Sequence, residues 1–124
     1  MCIILLLITG LRTLFLERNN LTKLNRSAFQ GLSLLHNLHL KGNKLEEMDK
    51  NAFRGLASLR VLDLSENLLT GIDTEGFRDL GDLNLLSLRS NPMRCSCELI
   101  KKLVSLDIGW IVADCAQDRL GRAK

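Results

Sequence analysis

The sequence predicts an α/β solenoid, in which similar coils of chain stack along one axis. Leucine recurs on a fixed spacing, and three consecutive stretches of 24 residues align without a gap. These coils begin at Leu11, Leu35 and Leu59, and a fourth coil that starts in the same way begins at Leu83. The three full coils follow the pattern L-x-x-L-x-L-x-x-N-x-L-x-x-(L/M/I), with F-x-x-L further on. Repetition at such a period is typical of a solenoid, because one coil alone cannot bury its apolar face.

This pattern resembles the leucine-rich repeat. The resemblance implies short parallel strands that form a concave sheet, with loops and short helices on the convex side. It also implies a module that recognises other proteins and has no catalytic activity.

Within each coil, L-x-x-L-x-L predicts a short strand whose side chains alternate between the interior and the solvent. In the first coil Leu14 and Leu16 point inward in this prediction. The corresponding inward pairs are Leu38 and Leu40, Leu62 and Leu64, and Leu86 and Leu88. Successive strands are then expected to pair in parallel about 4.8 Å apart, as one continuous sheet.

Two further columns repeat every 24 residues and are predicted to be structural. The asparagine column is expected to turn inward, to satisfy backbone groups where the chain leaves each strand and to form a ladder of amides. It comprises Asn19, Asn43, Asn67 and Asn91. The phenylalanine column is expected to stack ring against ring on the convex side. It comprises Phe29, Phe53 and Phe77.

The chain divides into three parts. Residues 1–10 form an apolar segment, residues 11–90 hold the repeats, and residues 91–124 form a C-terminal unit. The repeats are 11–34, 35–58, 59–82 and the start of a fourth at 83–90. The apolar segment is too short to cross a bilayer, which takes roughly 20 apolar residues. Two interpretations of it stay open: a partial signal peptide, or the remnant of a preceding coil with Leu5 and Ile8 in the Phe29 and Leu32 columns.

The C-terminal unit resembles the cysteine-rich cap of extracellular leucine-rich repeat proteins, such as Toll-like receptors, variable lymphocyte receptors, neuronal adhesion receptors and chondroadherin-like matrix proteins. The matching residues are Asn91, Pro92, Cys95, Cys97, Leu99, Trp110 and Cys115. The resemblance implies a Cys95–Cys115 disulfide and therefore an extracellular or secreted protein. Independently, a helix over 98–108 is predicted, with Leu99, Leu103 and Leu106 on one face.

The cap departs from its family, because four cysteines are usual and this chain leaves Cys97 without a partner. Cys2 is a poor substitute, since it is expected several strand spacings away and beyond the reach of a disulfide. The cap is therefore interpreted as incomplete and the chain as a fragment or truncated form. The alternative is that Cys97 forms an intermolecular bridge.

The candidate ligand-binding surface is the outward face of the concave sheet, because its side chains do not pack in the interior. It is predicted to comprise Thr13, Phe15, Glu17, Asn37, His39, Lys41, Val61, Asp63, Ser65, Leu85, Ser87 and Arg89. Residues at equivalent positions of adjacent strands are lateral neighbours, which predicts a Glu17–Lys41 ion pair and a His39–Asp63 contact. The apolar residues of this surface are candidate partner contacts.

Other functional classes find little support in the sequence. Acidic and basic residues are interspersed and the net charge is only +3, which argues against a nucleic-acid partner. No catalytic motif is present, so the chain is not expected to be an enzyme, and we expect no cofactor and no metal site. Two N-x-S/T sequons, at Asn20 and Asn25, are plausible glycosylation sites.

The predicted function is therefore recognition of a protein ligand through the concave sheet, as in extracellular adhesion or innate immune receptors. One alternative is a secreted matrix or adhesion component that associates with itself. Another is a truncated fragment without independent function.

Overall fold

The computed structural model describes residues 10–115 and shows a stack of coils closed by a short helix and a final strand. The elements, in chain order, are β1 (Thr13–Phe15), β2 (Lys23–Leu24), β3 (Asn37–His39), β4 (Glu47–Met48), β5 (Val61–Asp63), a 3-10 helix (Thr74–Phe77), β6 (Leu85–Met93), α1 (Cys97–Ser105) and β7 (Trp110–Cys115). Both interpretations of the N-terminal apolar segment concern residues 1–9, which lie outside the described residues, as do Cys2 and the basic C-terminal residues.

The main sheet has five parallel strands in the order β1-β3-β5-β6-β7. Its register follows the repeat, because Thr13 pairs with Asn37, Asn37 with Val61, and Val61 with Leu85. The predicted solenoid with a parallel concave sheet is therefore confirmed. The fifth strand, β7, comes from the cap and pairs Leu85 with Trp110. A second sheet, β2 and β4, lies on the side of the stack where the chain leaves the concave strands.

The repeated leucines form the interior, and most inward strand positions are fully buried, as predicted. The buried members are Leu38, Leu40, Leu62, Leu64, Leu86 and Leu88, each 0% exposed. Leu14 and Leu16 differ, because they are only partly buried against this core. They belong to the first described coil, so a second coil covers them from one side.

The phenylalanine column is stacked as predicted. Ring centroids of Phe29 and Phe53 lie 6.1 Å apart, and those of Phe53 and Phe77 lie 5.8 Å apart. The rings are at most 3% exposed. This stack ties the convex sides of three coils together.

The asparagine column is buried and hydrogen-bonded in coils two to four. The Asn67 amide accepts from Leu45 N–H at 3.0 Å and donates to the carbonyls of Leu40 and Leu64, both at 3.0 Å. Asn43 and Asn91 repeat this arrangement. Each amide thus links the backbones of two coils, and the hydrogen bonds run from amide to backbone instead of from amide to amide.

Asn19 corrects the prediction for the first coil. Its side chain is exposed and donates to Glu17 O at 3.1 Å, while its backbone N–H donates to the Asn43 Oδ1 atom at 2.8 Å. The reason is again the position of this coil at the first edge of the described stack.

The cap contains the predicted helix and disulfide. Helix α1 begins after its N-cap Ser96, whose hydroxyl accepts from Leu99 N–H at 3.0 Å, and it ends at Ser105, earlier than predicted. Leu103 is buried, and Leu99 and Leu106 pack partly buried against the core. Cys95 and Cys115 are joined by a disulfide with a Cα–Cα distance of 5.5 Å. No helix between residues 10 and 115 has the length and apolarity needed to span a membrane.

The state of the cysteines yields a first testable prediction. Cys97 is exposed and forms no disulfide within residues 10–115. Iodoacetamide should therefore alkylate Cys97 in the folded protein without reductant, whereas Cys95 and Cys115 should react only after reduction. Peptide mass spectrometry reads out both, with Cys97→Ser as the control that removes the first signal. Labelling of Cys95 or Cys115 before reduction would contradict the assigned disulfide.

Candidate functional site on the concave sheet

The concave face is built from the outward positions of the parallel strands. Because side chains alternate along a strand and the register repeats every coil, equivalent outward residues line up in columns across the sheet. One column continues from Leu85 to Trp110, and the next from Ser87 to Val112. The face is therefore one strand wider than the repeats alone predict.

The contribution of β7 was missed in the sequence analysis, which assigned Trp110 only to the cap motif. The signal was present in the alternation of Trp110–Cys115. Ile111 and Ala113 pack against the core, whereas Trp110 is 70% exposed. The Asp114 carboxylate accepts from Ser90 N–H at 3.0 Å, so the strand is also held at its far end.

Apolar and aromatic side chains form a diagonal track across the concave face. Phe15 on β1 is 64% exposed, and its ring stacks on His39 with centroids 4.7 Å apart and planes 10° apart. Val61 and Leu85 are half-buried and lie between this pair and Trp110 on the last strand. We call Phe15, His39, Val61, Leu85 and Trp110 the concave track.

The predicted contact between His39 and Asp63 is wrong, although the two residues are lateral neighbours in the sheet. The His39 ring stacks on Phe15 in the preceding coil. The Asp63 carboxylate instead accepts from the backbone N–H of Ser65 at 3.0 Å and from its hydroxyl at 2.5 Å. Local hydrogen bonds therefore satisfy Asp63 and leave His39 free to stack.

Ser65 is a related correction to the predicted ligand-binding set. Its side chain is 7% exposed, because the bond to Asp63 folds it onto the strand end. It does not line the concave surface. Thr13 and Asn37 are likewise joined to each other, since the Asn37 amide donates to the Thr13 hydroxyl at 3.2 Å.

The predicted Glu17–Lys41 ion pair is also wrong. Lys41 pairs with Glu66 in the following coil, with an Nζ–Oε2 distance of 3.2 Å. The Gly42 N–H donates to Ser65 O at 3.1 Å, which holds the two strand ends together and brings Glu66 within reach. Both side chains are about as exposed as typical surface pairs, 37% and 47%, so the pair contributes less than about 1 kcal/mol.

For the remaining predicted ligand-binding residues the structure gives a position, and their role stays a prediction. Glu17, Ser87 and Arg89 lie along the strands and strand ends of the concave side, and Arg89 is exposed. Asn20 and Asn25 are exposed and lie beyond the strand, outside the concave track. The concave face therefore combines exposed aromatic rings on its two edge strands with polar side chains, such as Asp63 and Ser87, on the strands between them.

Comparison with known proteins agrees with this architecture. The family model described as leucine rich repeat matches residues 9–69 and 33–93, which together span most of the chain. A search of curated proteins finds no match. Leucine-rich repeats generally mediate protein–protein recognition and are typically not enzymes. The two overlapping matches and the observed stack of coils show that this chain belongs to the leucine-rich repeat family.

Proposed function

We propose that this chain is a non-enzymatic recognition module that binds a protein ligand through its concave sheet. The observation that carries the proposal is the exposure of Phe15 and Trp110, 64% and 70%, on opposite edges of one rigid sheet. Neither ring contributes much to folding in this position. Exposed aromatic side chains on an ordered surface are characteristic anchors of protein interfaces.

The concave track is suited to such a role for two physical reasons. Its middle strands are hydrogen-bonded to both neighbouring coils and its edge strands to one, so little conformational entropy is lost when a partner binds. The stacked Phe15–His39 pair also restricts two side chains before binding. Aromatic rings then supply a large apolar area with few rotatable bonds.

An extracellular location, in a receptor-like or adhesion protein, completes the proposal. The Cys95–Cys115 disulfide supports it, because disulfides persist in oxidising compartments. The exposed sequons at Asn20 and Asn25 and the resemblance of the cap to extracellular proteins point the same way.

To test the binding face, the full chain is first screened for binding to a panel of purified extracellular proteins, each immobilised separately. For any partner found, we expect Phe15→Ala with Trp110→Ala to weaken binding at least tenfold, since each interface anchor contributes about 1–2 kcal/mol or more. Surface plasmon resonance measures the loss. The matched control is Ile100→Ala with Val104→Ala, which removes two exposed apolar side chains of α1. Equal losses in both variants, or a loss only in the control, would move the site away from the concave sheet.

Glycosylation tests whether the two sequons accept sugar, as expected of an extracellular protein. Directed to the secretory pathway of a eukaryotic cell, the chain should carry N-linked sugar at Asn20 and Asn25, because both asparagines are exposed in loops. Asn20→Gln and Asn25→Gln should each remove one glycan, measured as a fall in intact mass. Secreted protein that lacks sugar at both sites would contradict this part of the proposal.

A further inference from the structure

The backbone hydrogen bonds on one lateral side of the stack are interrupted between the second and third coils. Between the first and second coils, β2 pairs with β4, and the N–H groups of Glu46 and Asp49 donate to the preceding coil at 3.0 and 2.9 Å. In the described part of the chain, no backbone hydrogen bond joins 46–49 to 70–73, the equivalent residues one coil later. One edge of β4 is therefore open.

Next to this opening, the second and third coils are in close contact on the convex side. A Cβ atom at Gly76 would lie 2.9 Å from Lys50 O, so the third coil approaches the second closely at this point. The phenylalanine rings tilt there as well, with interplanar angles of 1° between Phe29 and Phe53 and 27° between Phe53 and Phe77. The second and third coils thus approach closely on the convex side, while their backbones stay unpaired between 46–49 and 70–73.

The lateral side of the first three coils holds a groove of about 620 Å³, which we call the lateral groove. It is lined by residues 23–25, 46–49 and 70–73. Its volume lies within the roughly 300–1,000 Å³ of many ligand sites. Met48 and Ile72 are half-buried in it and supply apolar contact area.

The lateral groove is acidic although the chain as a whole is basic. Four carboxylates and only one ammonium group line it: Glu46, Glu47, Asp49, Asp73 and Lys23. None of the four carboxylates belongs to the ion pairs found between residues 10 and 115. Asp49 and Asp73 each accept one backbone N–H, at 2.7 and 3.0 Å, which leaves their charge uncompensated.

We propose that the lateral groove binds an extended segment of a partner protein in which basic and aliphatic side chains alternate. The segment's backbone pairs with the open edge of β4, as in other cases where a peptide adds a strand to a sheet. Because side chains of a strand alternate, basic residues face the carboxylates and aliphatic residues contact Met48 and Ile72. This site is separate from the concave track, and the inference does not depend on the proposed function.

A synthetic heptapeptide of alternating lysine and valine, blocked at both ends, is the probe for the full chain. NMR titration at low salt should show saturable binding, with shifted amides concentrated in 46–49 and 70–73. Glu46→Gln with Glu47→Gln should weaken binding about fivefold, because it removes two exposed charge contacts. The matched control, Asp79→Asn with Asp82→Asn, neutralises two exposed carboxylates outside the groove and should change the affinity less than about twofold.

Three results would overturn the proposal. The first is equal weakening by both double variants, and the second is equal binding of a peptide N-methylated at every residue, which cannot donate to β4. The third is lost peptide binding in Phe15→Ala, which would place the peptide on the concave track.

Discussion

Phe53→Ala should lower the free energy of unfolding by about 3–5 kcal/mol, the usual cost of removing a buried phenylalanine ring. Phe53 is 2% exposed and lies between Phe29 and Phe77, so its removal leaves a cavity that breaks the stack at its centre. In a solenoid each coil contacts only its neighbours, so the loss weakens the packing of the second coil against both the first and the third. Urea denaturation followed by circular dichroism measures the change.

The control for this substitution is Phe15→Ala, which removes the same ring from an exposed position. Phe15 is 64% exposed and contacts mainly His39, so stability should fall by less than about 1 kcal/mol. Equal destabilisation by the two substitutions would mean that the phenylalanine column is not the interior stack described above.

Asn67→Ala should destabilise the protein by about 3 kcal/mol. The substitution leaves Leu45 N–H without a partner inside the stack, and a buried unpaired group costs about 1–3 kcal/mol. It also removes one of the two amide hydrogen bonds to each of the Leu40 and Leu64 carbonyls, which keep those from Asn43 and Asn91. Backbone relaxation and entering water recover part of the sum. Thermal and urea unfolding of the purified variant measure the loss.

Asn19→Ala is the matched control, since Asn19 occupies the same repeat position in the first described coil. The Asn19 side chain is exposed and donates only to Glu17 O, so the stability change should stay within about 0.5 kcal/mol. If Asn19→Ala costs as much as Asn67→Ala, the asparagine column acts through the local turn and not through links between coils.

The interior of the fold could be predicted because every coil has the same residue types at the same repeat positions. A leucine, asparagine or phenylalanine that recurs at one repeat position must occupy equivalent places, which determines the sheet register and both interior columns. The exceptions, Leu14, Leu16 and Asn19, belong to the first described coil. In the coils after it, burial follows the repeat.

The pairing of surface side chains could not be predicted in the same way. Lateral adjacency gave Lys41 and Asp63 several partners of similar energy, and local geometry decided between them. Lys41 forms an ion pair with Glu66 in the next coil, and Asp63 accepts a hydrogen bond from Ser65, two residues further along the chain. The lateral groove was also absent from the prediction, because it depends on how the loops of three coils lie side by side. Gly76 is visible in the sequence, but its close approach to Lys50 is not.

Hydroxyl-radical footprinting of the complex with an identified partner tests the central claim most directly, because it reports side-chain exposure residue by residue. Concave recognition predicts that oxidation of Phe15, His39 and Trp110 falls on binding, while oxidation of Leu34, Ile100 and Val104 stays unchanged. Five of these six side chains, all but that of His39, are exposed in the free chain, so a loss of labelling is readily detected. Protection of Leu34, Ile100 or Val104, with Phe15 and Trp110 still labelled, would contradict recognition through the concave sheet.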